Sequence, residues 1–258
     1  MRSLLLFFSL FCLCSCGSKS ENTLKVAATP VPHAEILEFI KPDLAAQNID
    51  LNVIVVDDFN TPNRALADKE IDANYFQHQP FLDKQKKDFG YELISMGPIH
   101  IEPMGLYSKK IQSLKELKKG SLVAVPNDPT NEARALLLLE KQGLIKLSRH
   151  DSNASVVDII ENPLQLSFTE IDSPLLARSL DDVALAAITT NFALQAKLSP
   201  QKDALLLEDS NSPYANILVV RSGEENNPKI QALKAALQSQ KVKEFIEKKY
   251  QGAVLPAN

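Results

Sequence analysis

Histidines are the residues of this chain that most often bind metals or transfer protons, and their spacing limits both uses. The four histidines, His33, His78, His100 and His150, are scattered, and no two of them have the short spacing that places a pair on one side of a zinc ion. A site assembled from them by folding stays open as an alternative. No local motif indicates one, so we predict no metal ion.

The three cysteines have an unusual position. Cys12, Cys14 and Cys16 all lie within the first sixteen residues, and the chain from Gly17 onward has no thiol. Disulfide frameworks, cysteine-ligated zinc and a cysteine nucleophile are therefore excluded from that part of the chain.

Other catalytic signatures are also missing from the sequence. There is no Gly-x-Gly-x-x-Gly, no Gly-Lys-Ser/Thr and no Gly-x-Ser-x-Gly, so phosphate cradles and a nucleophile elbow lack their backbone requirements. Carboxylate pairs such as Asp57-Asp58 and Asp181-Asp182 are typical of solvated loops or helix starts. With 28 basic and 32 acidic residues, the net charge of −4 excludes a polybasic nucleic-acid binder. We predict a protein that is not an enzyme and needs no cofactor.

The N-terminal residues have the pattern of an export signal. Arg2 precedes an apolar run over 4–13, which at about ten residues is too short for a bilayer span of about 20 residues but fits the core of a signal peptide. The run ends in Leu13-Cys14-Ser15-Cys16, which resembles a bacterial lipobox. We predict a signal peptide over 1–15, a lipid on Cys16 and a polar tether over 16–23. The alternative is a signal peptide that merely contains cysteines.

Alternating strand and helix patterns must position any site in the rest of the chain. Apolar, β-rich runs predict strands over 24–29, 51–56, 71–76, 91–96, 105–108, 122–125, 164–169, 183–188 and 217–220. Helical patterns follow the first strand, around residues 36–40, and recur over 60–68, 77–88, 113–119, 130–142, 155–161, 190–197 and 228–249. This order predicts an α/β fold with largely parallel sheets.

Two places suggest that the chain passes between two lobes. The sheet pattern restarts at Leu122 after the strand at 105–108, and a second extended stretch over 213–220 precedes the terminal helices. Crossings at both places would give one lobe of 24–104 plus 218–258 and a second lobe of 105–217. A single doubly wound sheet is the alternative.

Four collinear segments resemble one family, the NlpA-type lipoproteins, which are the substrate-binding components of methionine ABC transporters. The segments are 72–82, 100–110, 123–131 running on to Arg134, and 212–217. The resemblance implies a type II-like, two-lobed periplasmic-binding-protein architecture with the ligand in the cleft. It also implies a monomer that binds methionine without changing it and delivers it to a permease and ATPase complex. The lipid would hold it at the bacterial cell envelope, facing the periplasm or on the cell surface.

The resemblance also indicates where the carboxylate of an amino acid would bind. Arg134 follows Asp128 and Pro129, which suit the cap and first position of a helix, and a guanidinium can hold a carboxylate with two hydrogen bonds. The alternative is a surface arginine paired with Glu132 or Glu140.

The remaining predicted contacts divide into an apolar wall and two amides. Phe59, Phe76 and His78 would surround the thioether, and Asn191 and Asn216 would hold the amino-acid group. We assign Tyr75 to the core, and for Glu102 and His100 both a ligand contact and a hydrogen bond across the crossover stay open.

Two departures from the family motivate other functions. Phe59 stands where the family usually has Tyr, and Thr189 stands where it usually has Asn. The same scaffold could therefore bind another apolar amino acid or a short peptide. A third function, from a different class, is a surface lipoprotein acting as an adhesin.

Overall fold

A computed structural model describes residues 22–209 and 213–257. The predicted signal peptide and Cys16 lie outside the described residues, as does Ser212 of the fourth family segment.

Thirteen strands and eight α-helices organise the described residues. The strands are β1 (Thr23–Ala28), β2 (Asp50–Val55), β3 (Ala73–His78), β4 (Leu93–Ile101), β5 (Gly105–Tyr107), β6 (Leu122–Pro126), β7 (Lys146–Leu147), β8 (Ile159–Glu161), β9 (Ser167–Ile171), β10 (Leu185–Ile188), β11 (Ala204–Leu207), β12 (Ala215–Arg221) and β13 (Leu255–Pro256). The helices are α1 (Glu35–Ala45), α2 (Thr61–Ala67), α3 (Gln79–Phe89), α4 (Pro129–Lys141), α5 (Thr190–Gln195), α6 (Pro200–Asp203), α7 (Pro228–Leu237) and α8 (Gln240–Tyr250).

Two sheets form the centres of two lobes. Lobe I contains a six-stranded sheet in the order β13-β4-β12-β3-β1-β2, and lobe II contains a five-stranded sheet in the order β11-β5-β10-β6-β9. The chain leaves lobe I between β4 and β5 and returns between β11 and β12. The α/β, two-lobed architecture with two crossings is therefore as expected.

The second boundary between the lobes lies earlier than the sequence placed it. Strand β12 pairs along its whole length with β3 and β4 of lobe I. The return to lobe I therefore falls before Ala215, not at 217/218. The boundary was misplaced because polar residues around Asn216 interrupt the strand pattern and obscure where β12 begins.

Both sheets are mixed, so the expectation of largely parallel sheets was wrong. Strands β2, β1 and β3 run parallel in lobe I, as do β9, β6 and β10 in lobe II, and every other pairing within these two sheets is antiparallel. The reason is that β5 and β12, the first strands after the two crossings, enter their sheet from the other lobe and run antiparallel to both of their neighbours. Their direction is not set by a helical crossover, whereas in a β-α-β unit the crossover makes the two strands parallel.

Each sheet is covered on both faces. In lobe I, Leu37 and Ile40 of α1 pack with α7 and α8 on one face, and Leu66 and Leu82 of α2 and α3 pack on the other. In lobe II the corresponding clusters contain Leu136 and Leu139 of α4 on one face and residues around Phe192 on the other. Across residues 22–209 and 213–257, no helix combines the length and the apolar composition needed to cross a bilayer.

The parallel strands point their carboxyl ends towards the space between the lobes. Strands β1 and β3 of lobe I lead into His33 and His78, and β6 and β10 of lobe II lead into α4 and α5. Loops at the carboxyl ends of parallel strands are where α/β proteins bind their ligands. The topology therefore brings four separate chain segments to one cleft.

Candidate functional site

A cavity lies between the lobes and is lined by side chains from both. All of the predicted ligand-binding residues line it: Phe59, Phe76, His78, Arg134, Asn191 and Asn216. Six further residues line it that are not among the predicted ligand-binding residues: His33, Gln77, Phe81, Glu102, Asn131 and Thr189. The predicted residues thus share one cavity between the two lobes.

Arg134 is buried in the second turn of α4, and its orientation is fixed by three groups. Its Nε lies 3.1 Å from both carboxylate oxygens of Glu208, and its Nη2 donates to Glu208 Oε2 at 2.5 Å and to the Glu102 carbonyl at 2.7 Å. The guanidinium carbon lies 4.4 Å from the centroid of the Tyr214 ring. Nη1 makes no hydrogen bond within residues 22–209 and 213–257, so one edge of the cation is open to a ligand.

The start of α4 has the predicted cap. The Asp128 side chain accepts a hydrogen bond from the Asn131 amide at 3.0 Å, and Pro129 occupies the first turn. The alternative partners of Arg134 are used elsewhere: Glu132 accepts from the Val156 amide, and Glu140 accepts from the Leu147 amide. The burial of Arg134, at 4% exposure, rules out a surface role.

Glu102 is the buried carboxylate of the cavity. Its Oε1 lies 2.7 Å from His100 Nε2 and 3.3 Å from His33 Nε2. His33 Nε2 also lies 3.0 Å from Asn216 Oδ1. Burial raises the pKa of Glu102, and His33, Arg134 and the Asn191 backbone oppose that rise.

The outer partners of the two imidazoles determine where their protons lie. His33 Nδ1 is 2.7 Å from the Thr29 hydroxyl, and His100 Nδ1 contacts the Tyr75 hydroxyl. Each hydroxyl donates to Nδ1, so each Nε2 carries the proton; His100 donates it to Glu102 Oε1, and His33 donates it to Asn216 Oδ1. Burial lowers the pKa of His33 to about 4 and that of His100 to about 3, so both rings are neutral at pH 7.

The same three residues have the composition of a metal site. The potential ligand atoms of His33, His100 and Glu102 lie within 4.8 Å of one another. All four imidazole nitrogens already have hydrogen-bond partners, however, and the network is closed without an ion. Its effect is to hold Glu102 Oε1 in place, leaving Oε2 for other partners.

Aromatic rings form the apolar wall. The ring centroid of Phe59 lies 5.9 Å from that of Phe76 and 6.0 Å from that of Phe81, and Phe59 also reaches Phe192 of lobe II at 5.1 Å. Phe76 and His78 both line the cavity, as their two-residue spacing in β3 predicted. Tyr75, the residue before Phe76, is fully buried in the lobe I core, as expected.

Two polar atoms at the start of α5 have no hydrogen-bond partner within the described part of the chain. They are Thr189 Oγ1 and Asn191 Nδ2, both buried in residues that line the cavity. Thr190, between them, donates to the Pro103 carbonyl at 2.6 Å and fixes the turn. Because buried polar groups are nearly always hydrogen-bonded, these two atoms are available to a ligand in the cavity.

The residues that the sequence reasoning missed share one signal. His33, Thr189 and Asn131 each lie within a few residues of the carboxyl end of a parallel strand. Gln77 is held by the amides of Asn63 and Asn74. The carboxyl ends of the strands predicted over 24–29, 122–125 and 183–188 point to these three positions once the order of the strands in each sheet is known.

Comparison with known proteins shows one matching family and several similar proteins. The profile described as NlpA lipoprotein matches residues 24–258. The methionine-binding lipoprotein MetQ of Bacillus subtilis (strain 168) is 43% identical over 264 residues, covering 99% of this chain and 96% of that protein. The D-methionine-binding lipoprotein MetQ of Escherichia coli (strain K12) is 42% identical over 249 residues, covering 94% and 92%.

A solved structure agrees with the fold. A nutrient binding protein from Burkholderia cenocepacia bound to methionine superposes with a TM-score of 0.88 at 44% identity, over 91% of this chain and all of that one. The family match extends over nearly the whole chain, and the solved structure matches its overall fold. The chain therefore belongs to the NlpA lipoprotein family.

Proposed function

We propose that this protein binds free methionine between its lobes and delivers it to an ABC importer. One observation carries the proposal: a single cavity presents the buried cation of Arg134, the buried carboxylate of Glu102 and a wall of phenylalanines. A zwitterion with an apolar side chain is complementary to that combination.

The α-carboxylate would bind to lobe II. Arg134 offers Nη1, and its position is fixed by Glu208 and by the Glu102 carbonyl. The unpartnered Asn191 Nδ2 and Thr189 Oγ1 would supply two further donors from the start of α5. Hydrogen bonds from charged or fixed donors to a buried carboxylate are among the stronger ones in proteins.

The α-ammonium would bind to lobe I. Glu102 accepts through Oε1 from the His100 Nε2–H, and His33 Nε2 lies 3.3 Å from the same oxygen, which leaves Oε2 to accept from the ligand. Asn216 Oδ1, already fixed by His33, lies beside it. An ammonium at this place would also stabilise the charged form of a carboxyl whose pKa is raised by burial.

The methionine side chain would lie against Phe59, Phe76 and Phe81. Sulfur packs favourably near the edges of aromatic rings, and the tilted and edge-on arrangement of these three rings exposes such edges. Phe59 is the one that also touches lobe II. The side chain would thus help to join the lobes.

Delivery follows from the proposed family role. A relative of 47% identity from Coxiella burnetii is described as the periplasmic substrate-binding protein of an ABC transporter. We infer that this chain acts as a monomer, held to the bacterial cell envelope through a lipid on Cys16. It would release methionine to a permease and ATPase complex without chemical change.

Calorimetry with a panel of amino acids tests this proposal. The protein is unfolded and refolded first, because a tightly held ligand can co-purify. We expect methionine to bind in the micromolar range or tighter, and alanine at least about 100-fold more weakly, because it leaves the aromatic wall unfilled. Equal affinity for methionine and alanine, or no binding of either, would reject the proposal.

A second candidate ligand is a short peptide or another apolar amino acid. The residue that favours it is Thr189, which stands where the family usually has asparagine. The threonine side chain is shorter than that of asparagine and leaves more room beside Asn191, and its hydroxyl has no partner among the described residues. Competition titrations with leucine, norleucine and glycyl-methionine distinguish the candidates. Displacement of methionine by the dipeptide at an equal concentration would favour the peptide.

A further inference from the structure

A hydrogen bond joins the lobes between α3 and α4, at a place where the chain does not cross. His78 ends β3 of lobe I, and its Nε2 lies 3.1 Å from Oδ1 of Asn131 in α4 of lobe II. Both residues line the cavity, with 5% and 3% exposure. The bond can exist only while the two helices are held together.

The partners of the two residues fix the direction of this bond. His78 Nδ1 accepts from the Phe81 amide at 3.2 Å, so the imidazole proton lies on Nε2 and is donated to Asn131. Asn131 Nδ2 in turn donates to both carboxylate oxygens of Asp128, at 3.0 and 3.1 Å. No member of the chain can rotate without losing a bond.

His78 is neutral in this arrangement. Burial and the nearby charge of Arg134 lower its pKa to about 3. The Tyr214 ring lies edge-on at 5.0 Å, and Phe81 packs at 6.2 Å on the side of its own helix. A neutral ring with a bare Nδ1 is what the Phe81 amide requires.

We propose that His78, Asn131 and Asp128 form a clasp that holds the lobes closed and sets how slowly the ligand leaves. Asn131 is a positioning residue in this clasp: it holds the His78 ring at the cavity wall and is itself held by Asp128. The identity of the ligand as methionine rests on the proposed function; the clasp itself rests on the contacts.

The hydrogen bond between His78 and Asn131 must break before the cleft can open and a bound ligand can leave. The clasp therefore acts on the rate of ligand dissociation. Replacing Asn131 with alanine leaves the Nε2 proton of His78 without a partner in a buried site. We expect methionine to dissociate about 5- to 100-fold faster, with an association rate within about twofold of the unsubstituted protein.

A double-mutant cycle on the full chain in detergent tests the clasp. Stopped-flow measurements give methionine association and dissociation rates for Asn131→Ala, His78→Ala and the double variant. Because the bond needs both residues, the double variant should lose little more than His78→Ala alone. Asn127→Ala, exposed one residue before Asp128, is the matched control and should leave both rates unchanged.

A second measurement does not depend on the ligand being methionine. NMR follows the exchange of the His78 Nε2 proton with water, which should be at least about tenfold faster in Asn131→Ala than in the unsubstituted protein. Equal exchange in both proteins, with and without methionine, would overturn the clasp, as would unchanged dissociation or fully additive losses in the cycle. Failure of the unsubstituted protein to bind methionine would instead reject the proposed function.

Discussion

The guanidinium of Arg134 lies 4.4 Å from the ring centroid of Tyr214, on the segment through which the chain returns from lobe II to lobe I. The proposed carboxylate-binding cation is thus in contact with a crossing segment. Glu208, which orients Arg134, also accepts from the Met104 amide at the other crossing. A ligand bound to Arg134 would therefore contact a side chain that already touches both connections between the lobes. These two connections are the segments that must bend if the lobes close by a hinge.

Replacing Arg134 with alanine should nearly abolish methionine binding while the fold survives. The ligand carboxylate would be desolvated without its partner, which costs about 30-fold to several thousand-fold in affinity. Calorimetry measures the affinity, and thermal unfolding reports the effect of leaving Glu208 unpaired. Arg178→Ala, on an exposed turn of lobe II, is the control. A loss of less than about threefold would show that Arg134 does not hold the carboxylate.

Replacing Thr189 with valine removes one buried hydroxyl and keeps the shape of the side chain. If that hydroxyl donates to the ligand, methionine affinity should fall roughly 5- to 50-fold. Thermal stability of the free protein should stay the same or rise, because an unpartnered buried group is lost. Thr169→Val in β9 serves for comparison. An unchanged affinity together with a higher melting temperature would place the hydroxyl outside the site.

Replacing Phe59 with leucine keeps an apolar side chain but removes the ring that reaches Phe76, Phe81 and Phe192. Methionine affinity should fall about 2- to 10-fold, mainly through faster dissociation, because this ring packs against both lobes. Surface plasmon resonance separates the two rates. Phe89→Leu, with 62% exposure, should leave them unchanged. A purely slower association would contradict this role.

The pH dependence of stability should reveal the buried His100. Its pKa is lowered to about 3, so the unfolded chain binds a proton at pH values where the folded chain does not. The stability that depends on neutral His100 is therefore complete above about pH 6.5 and is lost on acidification, by up to about 1.4 kcal/mol per pH unit.

Urea unfolding of the unsubstituted protein and of His100→Gln between pH 7 and pH 5 measures this effect. The difference between their free energies of unfolding should shrink as the pH falls, because only the unsubstituted protein loses the contribution of His100. A pH-independent difference for His100→Gln would mean that the ring is not neutral when buried.

Replacing Cys16 with serine should release the protein from the membrane into the soluble exported fraction. Cys16 is the cysteine with the lipobox-like residues before it and a polar tether after it. Fractionation followed by immunoblotting measures the distribution. Serine at Cys12, inside the predicted signal peptide, should leave it unchanged. Continued membrane partitioning of the Cys16 variant would show that another feature holds the protein there.

The sequence predicted the architecture well where strands and helices alternate regularly, and less well where they do not. Residues 155–161 have a helical apolar spacing, but they form a short 3₁₀ turn at Val156–Asp158 followed by β8. The Ser155–Asp158 capping box begins this turn, and the turn ends at Ile159, where the backbone becomes extended and β8 pairs with β7. Residues 113–119 likewise shorten to a 3₁₀ turn at Leu114–Glu116.

Edge strands were the elements missed outright. Strand β11 is half-buried and β13 has only two residues, so neither carries a clear apolar alternation. Within the site, local sequence indicated Arg134, because its helix cap can be read from Asp128 and Pro129. It could not reveal that Glu102 faces His33, because that contact joins residues far apart in the chain. Such pairings depend on the topology of the sheets.

The position of β12 has a consequence for how the protein is made. Lobe II is a continuous stretch of chain, but β12 lies between β4 and β3 in the lobe I sheet, and among the described strands β4 reaches β3 only through it. During synthesis or export from the N-terminus, lobe II can fold on its own before lobe I is complete. The lobe I sheet forms fully only when β12, some 110 positions after β4, is available to pair. A chain cut short before Ala215 would carry a finished second lobe beside an incomplete first one, with the exposed edges of β3 and β4 ready to pair with other chains.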